Sequence, residues 1–436
     1  MKRIFHSIAF LMLAALLTPA FASAPATAGA PSPALKWKRT SINIAISSSL
    51  FDSQNIKSDG DISAAVRKSL ETWSKVANIK FVESASDKQS ASPDGPAGDG
   101  ISLITIAATP ENLLLFDGDL THASARTRVF FDGKGSITEA DIVLNPYEQF
   151  STDGSIGTFD LESTITHELG HLLGLDHSMV LGATMHENYA KNGIFNLNAY
   201  GPRSLSEDDL SAVRSLYGPS PETESCCGRI SGKLLLADGK PAAGFQTWLE
   251  ESPTGRVIGQ VITGADGSYV FRGLPSGDFR QFAQSFAKQG RNSVQDLGIV
   301  SPGKEDPKNS TRKLKDVYDA PGIRFVGFNG QLAQLAIPVN PGRSYTIYVG
   351  AREFDLANVQ FGLNSPFFRI DRDSIRLHDY GDGVSAVSFE LIVVPGTPEG
   401  DYSIFAETGG RRRAIVGAVS VEQFQNPWFT RVISTD

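Results

Sequence analysis

The sequence predicts an α+β domain followed by two all-β sandwiches, and three observations predict it. The chain has 436 residues, too many for one compact core. Apolar residues recur at helical spacing only before Gly218. Beyond residues 219–224 (PSPETE), which carry two prolines and two acids, only short β-prone runs remain. Composition agrees, since 41% hydrophobic and 20% charged residues exclude a disordered, collagen-like or multi-span membrane chain. Lys plus Arg total 40 against 48 for Asp plus Glu, a net charge of −8, so nothing favours nucleic acid or an anionic membrane as partner. The two cysteines, Cys226 and Cys227, are neighbours, which excludes a disulfide framework. A vicinal disulfide, two free thiols and an intermolecular bridge all stay open.

Taken in order, Lys2 and Arg3 precede an apolar run over 8–17, and Ala20-Phe21-Ala22 supplies a small-x-small cleavage pattern. Residues 1–22 therefore read as a signal peptide, and the protein as exported, secreted or periplasmic. The run falls short of the roughly 20 residues a membrane span needs, and no transmembrane anchor is expected. Residues 23–34, rich in Pro, Ala and Ser, read as a disordered linker.

The domain over 35–219 follows. Ile42, Ile44 and Ile46 alternate as in a half-buried strand, and Asp61 opens a helix carrying Ile62, Val66, Leu70 and Trp73. Further strands are expected around 79–82, 102–106, 128–131 and 141–144. Asp160 can cap a helix with Leu161, Ile165, Leu169 and Leu172 on one face. Ser206-Glu207-Asp208-Asp209 precedes a closing helix that Gly218 stops.

Residues 220–227 form a linker, and 228–300 a first sandwich with turns at Asp238-Gly239, 265–267 and 275–277. A second linker covers 301–319, a second β-unit covers 320–423 with strands such as 332–337 and 388–394, and 424–436 is a tail. Arg411-Arg412-Arg413 reads as a solvated hairpin edge rather than a polyanion contact.

One constellation carries chemistry. His167-Glu168-Leu169-Gly170-His171 lies inside the helix begun at Asp160, where residues four apart share a face, so both imidazoles can reach one ion. Gly174 can take the left-handed conformation that reverses the chain and lets His177 approach as third ligand. Three neutral imidazoles leave one tetrahedral position open, the pattern of a catalytic zinc site, and Glu168 is placed to take a proton from water there. Five fixed residues over this span arise by chance on the order of once in 10⁵ sequences, which sets aside an accidental histidine cluster.

The run HELGHLLGLDH over 167–177, followed by Ser178 and by Ala183-Thr184-Met185 as a Met-turn, resembles the metzincins, and specifically the matrixins of matrix-metalloproteinase type. The likeness extends over residues 35–218, with Leu35-Lys36-Trp37-Lys38 as an entry strand and Leu120-Thr121-His122-Ala123 as the substrate-side edge. It implies a twisted, mostly parallel sheet with helices, a secreted hydrolase or protease of the kind that works on extracellular matrix, Met185 as apolar floor beneath the zinc, and Tyr189 bordering a substrate pocket. Asp117 and Glu148 match calcium-binding positions of relatives, so Ca²⁺ is a possible second ion.

The departures are specific. Val143 stands where relatives have a histidine of a second, structural zinc, so only one zinc is expected and His122 is expected to be solvated or hydrogen-bonded. His186-Glu187-Asn188 replaces the aromatic and proline that usually follow the methionine. No cysteine precedes residue 35, so a cysteine-switch propeptide is not expected.

Residues 228–300 resemble carboxypeptidase-regulatory-like sandwiches, and 320–423 an immunoglobulin-like module. The resulting expectation is an exported zinc endopeptidase acting on proteins or peptides, whose β-domains stand apart from the chemistry and bind a polymeric or cell-surface target. The alternative is a surface or matrix-binding protein with a vestigial metalloprotease domain. The intact Glu168 separates the two.

Overall fold

The computed structural model describes residues 35–422 apart from 58–59, 94–96, 119–122, 198–200, 223–225, 286–292, 304–310, 316–319, 321 and 353–355. The signal peptide, the linker over 23–34, the last residues of the chain and His122 lie outside the described residues.

The first half is built on a mixed sheet of β1 (Lys36–Trp37), β2 (Ser41–Ser47), β3 (Lys80–Ser86), β4 (Leu103–Thr105), β5 (Ala125–Phe131) and β6 (Ser136–Leu144), ordered β1-β6-β4-β2-β3. Those pairings are parallel, and β5 adds to β6 antiparallel as a free edge. Ile42, Ile44 and Ile46 of β2 send their side chains into the core, as their alternation requires.

Two helices cover that core face. Asp61 caps the Ile62–Ser74 helix by accepting from the Ala64 N–H at 2.8 Å. Its apolar face packs on the Leu161–Leu172 helix, where the Trp73 indole N–H donates to the Thr166 carbonyl at 2.8 Å and the Ser69 hydroxyl to that of Glu162 at 2.9 Å. Helix Glu207–Tyr217 closes the unit with a capping box in which Ser206 and Asp209 satisfy each other's backbone N–H, and Gly218 stops it at φ 75°.

The rest is β. Four strands from Gln246–Glu251 to Gln295–Val300 make one sheet of the middle unit, and Gly228–Leu235, Ser268–Leu274 and Thr311–Lys313 make the other. Thr311–Lys313 falls inside the stretch read as the second linker, and pairs there with Gly228–Leu235. Sheets of five and four strands enclose the last core, which includes Val349, Phe389, Tyr402 and Val419.

Three expectations change. The run over 332–337 is two short strands, Gln331–Ala333 and Ile337–Val339, in different sheets, because residues 334–336 cross between the sheets against the first unit. Two of the three arginines, Arg412 and Arg413, are not a solvated edge. Arg412 lies 3.8 Å over the Phe405 ring, and Arg413 bonds the Ser285 carbonyl, its guanidinium pushed down to about 10 by burial. Nor do the β-units stand apart: Val180 and Ala183 share one apolar cluster with Trp248, Phe282, Phe405 and Val416. The helical unit leaves this loop too apolar to face water, and both β-units cover it.

Candidate active site

The site is assembled on the Leu161–Leu172 helix. Asp160 caps it by accepting from the Ser163 N–H at 2.8 Å, and Arg203 neutralises the same carboxylate. Only His171 among its residues escapes full burial, because sheet, helices and the loop after His177 surround it.

Helix termination brings in the third histidine. Leu175 N–H donates to the Gly170 carbonyl at 3.0 Å and Gly174 N–H to that of His171 at 2.9 Å, the paired bonds of a Schellman ending. Gly174 sits at φ 91°, and a Cβ there would run into the Leu35 carbonyl, so only glycine fits. The reversed chain places the His177 Nε2 3.1 Å from that of His171, which is in turn 3.1 Å from that of His167.

The other ring nitrogens fix the tautomers. His167 Nδ1 lies 2.7 Å from the Thr184 carbonyl and His171 Nδ1 2.9 Å from that of Leu175, so each Nδ1 carries the proton and each Nε2 presents a lone pair. Burial, then the neighbouring His171, holds His167 neutral far below its usual range, and the same two causes push His177 down to about 4. Lone pairs crowded this closely repel unless a cation lies among them. Their spacing is near the roughly 3.4 Å expected between two nitrogens bound to one zinc at 2.0–2.1 Å, so the donor set fits that ion. Among the described residues, this is the only group of three or more potential ligands.

Glu168 is buried beside them. Thr127 on β5 donates its hydroxyl to Glu168 Oε2 at 2.5 Å. Burial raises the carboxyl above its ordinary range, while His171 and the Thr127 bond pull it back. The result is a carboxylate that holds a proton more readily than a solvated one does.

Below the histidines, Met185 is 2% exposed and touches the point where Gly170 would carry a Cβ. Asp209 holds this turn, its two oxygens accepting from the N–H groups of Thr184 at 2.9 Å and Met185 at 3.1 Å. Thr184 then presents its carbonyl to His167, so Asp209 orients a ring it does not touch.

Residues 36–218 match the family model described as Matrixin. This segment is a matrixin-type metzincin domain. Metalloendoproteinase 1 of Glycine max is 30% identical over 173 residues, 37% of this chain and 48% of that protein. Interstitial collagenase of Oryctolagus cuniculus is 26% identical over 202 residues, 46% of this chain and 36% of that protein. The chain thus spans about half or less of the length of these curated relatives. Among solved structures, the major pilin subunit BcpA of Bacillus cereus is 16% identical over 43% of this chain and 67% of that one at a TM-score of 0.17, which carries no argument about fold.

Within the matrixin domain the other predicted residues are placed as follows. Tyr189 packs edge-on against the His167 ring with centroids 4.8 Å apart, and its hydroxyl donates to the Thr184 carbonyl at 3.2 Å. Val143 is buried with Ala91 and Phe116. Glu148 is buried and paired at 2.6 Å with Lys191, and Asp117 is exposed, so calcium is left without support.

Two residues of the site escaped the sequence reading. Ser206 and Asp209 are visible as a capping pair, but the reach of Asp209 to residues 24 and 25 positions earlier leaves no local pattern. Thr127 had only its place on an edge strand. Cys226 and Cys227 are bonded to each other, away from this site.

Proposed function

We propose that the protein is an exported zinc endopeptidase, with His167, His171 and His177 as zinc ligands and Glu168 as general base. The observation that carries this reading is the convergence of three imidazole Nε2 atoms beside a buried carboxylate in a matrixin domain. Zinc held by three imidazoles would lower the pKa of a water in its open position and polarise a substrate carbonyl. Glu168 takes a proton from the attacking water at a carboxylate oxygen and delivers it to the leaving amine nitrogen. Thr127 fixes Oε2 during that exchange, and the Thr184 carbonyl with Tyr189 keeps the His167 ring from turning. Export rests on the pattern of residues 1–22, and among the described residues no helix is long and apolar enough to cross a membrane.

The test pairs metal analysis with a peptide-library digest. The purified mature chain should hold one zinc and cut within peptides, lose this on chelation and regain it with zinc. A zinc-loaded protein that cuts nothing would leave only the vestigial-domain alternative.

A further inference from the structure

The loop that leaves Met185 runs beside the histidines, so a peptide held at them lies within a side chain's length of it: Tyr189 touches His167 directly. This loop is not held by the matrixin domain alone. Phe195 is fully buried at φ 55° and Asn196 follows at φ 58°, a left-handed pair without glycine that the loop's own sequence does not favour.

Beside the bonds of Tyr189, Lys191 and Asn192 within the peptidase domain, a second set of holds comes from the last β-unit. The Phe195 N–H donates to Gln331 Oε1 at 2.5 Å, and its carbonyl accepts from Asn329 Nδ2 at 2.6 Å, so both polar groups of one peptide residue are gripped. The Phe195 side chain packs with Leu197 and Leu335. At the loop's other end the His186 Nε2 lies 3.1 Å from the Gln334 carbonyl. Tyr189 lies between these two anchors.

The gripping element is rigid in its own right. Phe328 pairs with Gln331 across a two-residue turn, Asn329-Gly330, in which both residues have positive φ, 50° and 77°. That is the Asn-Gly signature of a turn matched to the strands' twist, so the hairpin forms without help from the loop.

We propose that the Asn329-Gly330 hairpin positions the substrate-facing loop of the peptidase, with Asn329 and Gln331 as positioning residues that set its cleavage-site preference through residues 186–197. The inference rests on the peptidase reading. A protein domain separate in sequence from the zinc motif thereby helps decide which peptides are cut.

The experiment compares the full mature chain with the double variant Asn329→Ala/Gln331→Ala and with Gln331→Glu, which keeps an acceptor for the Phe195 N–H. Cleavage by the wild-type chain decides the peptidase reading, and the proposal falls with it if no peptide is cut. With cleavage present, the double variant should keep its zinc and show KM raised about five- to tenfold with kcat within about twofold. Its ranking of residues flanking the cut should shift, and the amides of 190–197 should exchange hydrogen faster. Gln331→Glu should stay near wild type. An unchanged cleavage ranking and unchanged exchange in the folded double variant would overturn the proposal. If that variant does not fold, Gln331→Ala alone, which leaves Asn329 and the apolar contacts in place, is read by the same two outcomes.

Discussion

Glu168 and Thr127 divide one task, and single substitutions separate their parts. Glu168→Gln should keep its zinc yet lose at least about two orders of magnitude in peptide hydrolysis, the usual worth of a general base. Near-wild-type turnover in zinc-loaded Glu168→Gln would sink the proposed mechanism. Thr127 donates a hydrogen bond to a buried carboxylate, and such bonds contribute roughly 1.5–3 kcal/mol. Thr127→Val should therefore lower kcat about tenfold with KM little changed, while Thr127→Ser, which keeps the hydroxyl, should restore most of it. Equal activity in the Val and Ser variants would show that the bond does nothing for the reaction. The three histidines and Glu168 were legible in the sequence as a group because they are fixed by spacing along one helix and the glycine turn that ends it. Thr127 was not, because it faces the helix residue Glu168 from a strand 41 residues away.

At the scale of elements, the active-site helix has to stop where it does. Asp160 and Gly174 are local signals for its start and end, and the structure uses both. Gly174→Ala would need a side chain in the left-handed region and would press it into the Leu35 carbonyl. The expected result is lost zinc affinity rather than only lost stability, since the turn carries His177. Equilibrium dialysis against zinc checks this, and wild-type affinity in a folded Gly174→Ala protein would refute it. Elements with mixed signals were misread. Residues 332–337 have the composition of one strand, but Gln334 and Leu335 leave the sheet to meet His186 and Phe195, contacts that no local pattern announces.

Across the whole molecule, the loop over 178–185 is part of a shared core. Leu181 N–H donates to the Val416 carbonyl at 3.0 Å, and Asp208 accepts from Ser178 on one side and from the Gln260 N–H on the other. Residues 35–219 alone would expose Val180 and Ala183, so that fragment should melt earlier than the full chain and lose at least about tenfold in kcat/KM on a short peptide. A fragment that matches the full chain would restore the modular picture.

The same junction should be sensitive to pH. Burial, with the adjacent Asp209 carboxylate, raises Asp208 to about 7, against the pull of its bonds to Ser178 and Gln260. The folded protein thus binds a proton that the unfolded chain releases near pH 4. Its contribution to stability is full below that point, declines as pH rises toward about 7 and is lost above it. In Asp208→Asn the Oδ1 can still accept from the Gln260 N–H and the Nδ2 can donate to the Ser178 Oγ in a reversed bond, without the charge, so the variant should melt higher than wild type at pH 8, with the gap closing as pH falls to 5. A gap independent of pH would rule out this titration.

The sequence by itself determined which three histidines and which glutamate come together, the helix that carries His167, Glu168 and His171, and the glycine that ends it, because each depends on neighbours within a few turns of one chain segment. It also marked where helices cease and strands take over, since periodicity and turn residues are local. Tertiary structure alone decided that Asp209 steadies His167, that Thr127 holds Glu168, and that two β-units bury the loop beyond His177. Those contacts join residues tens to hundreds of positions apart, where only the packing of apolar surface and the pairing of buried polar groups choose the partner.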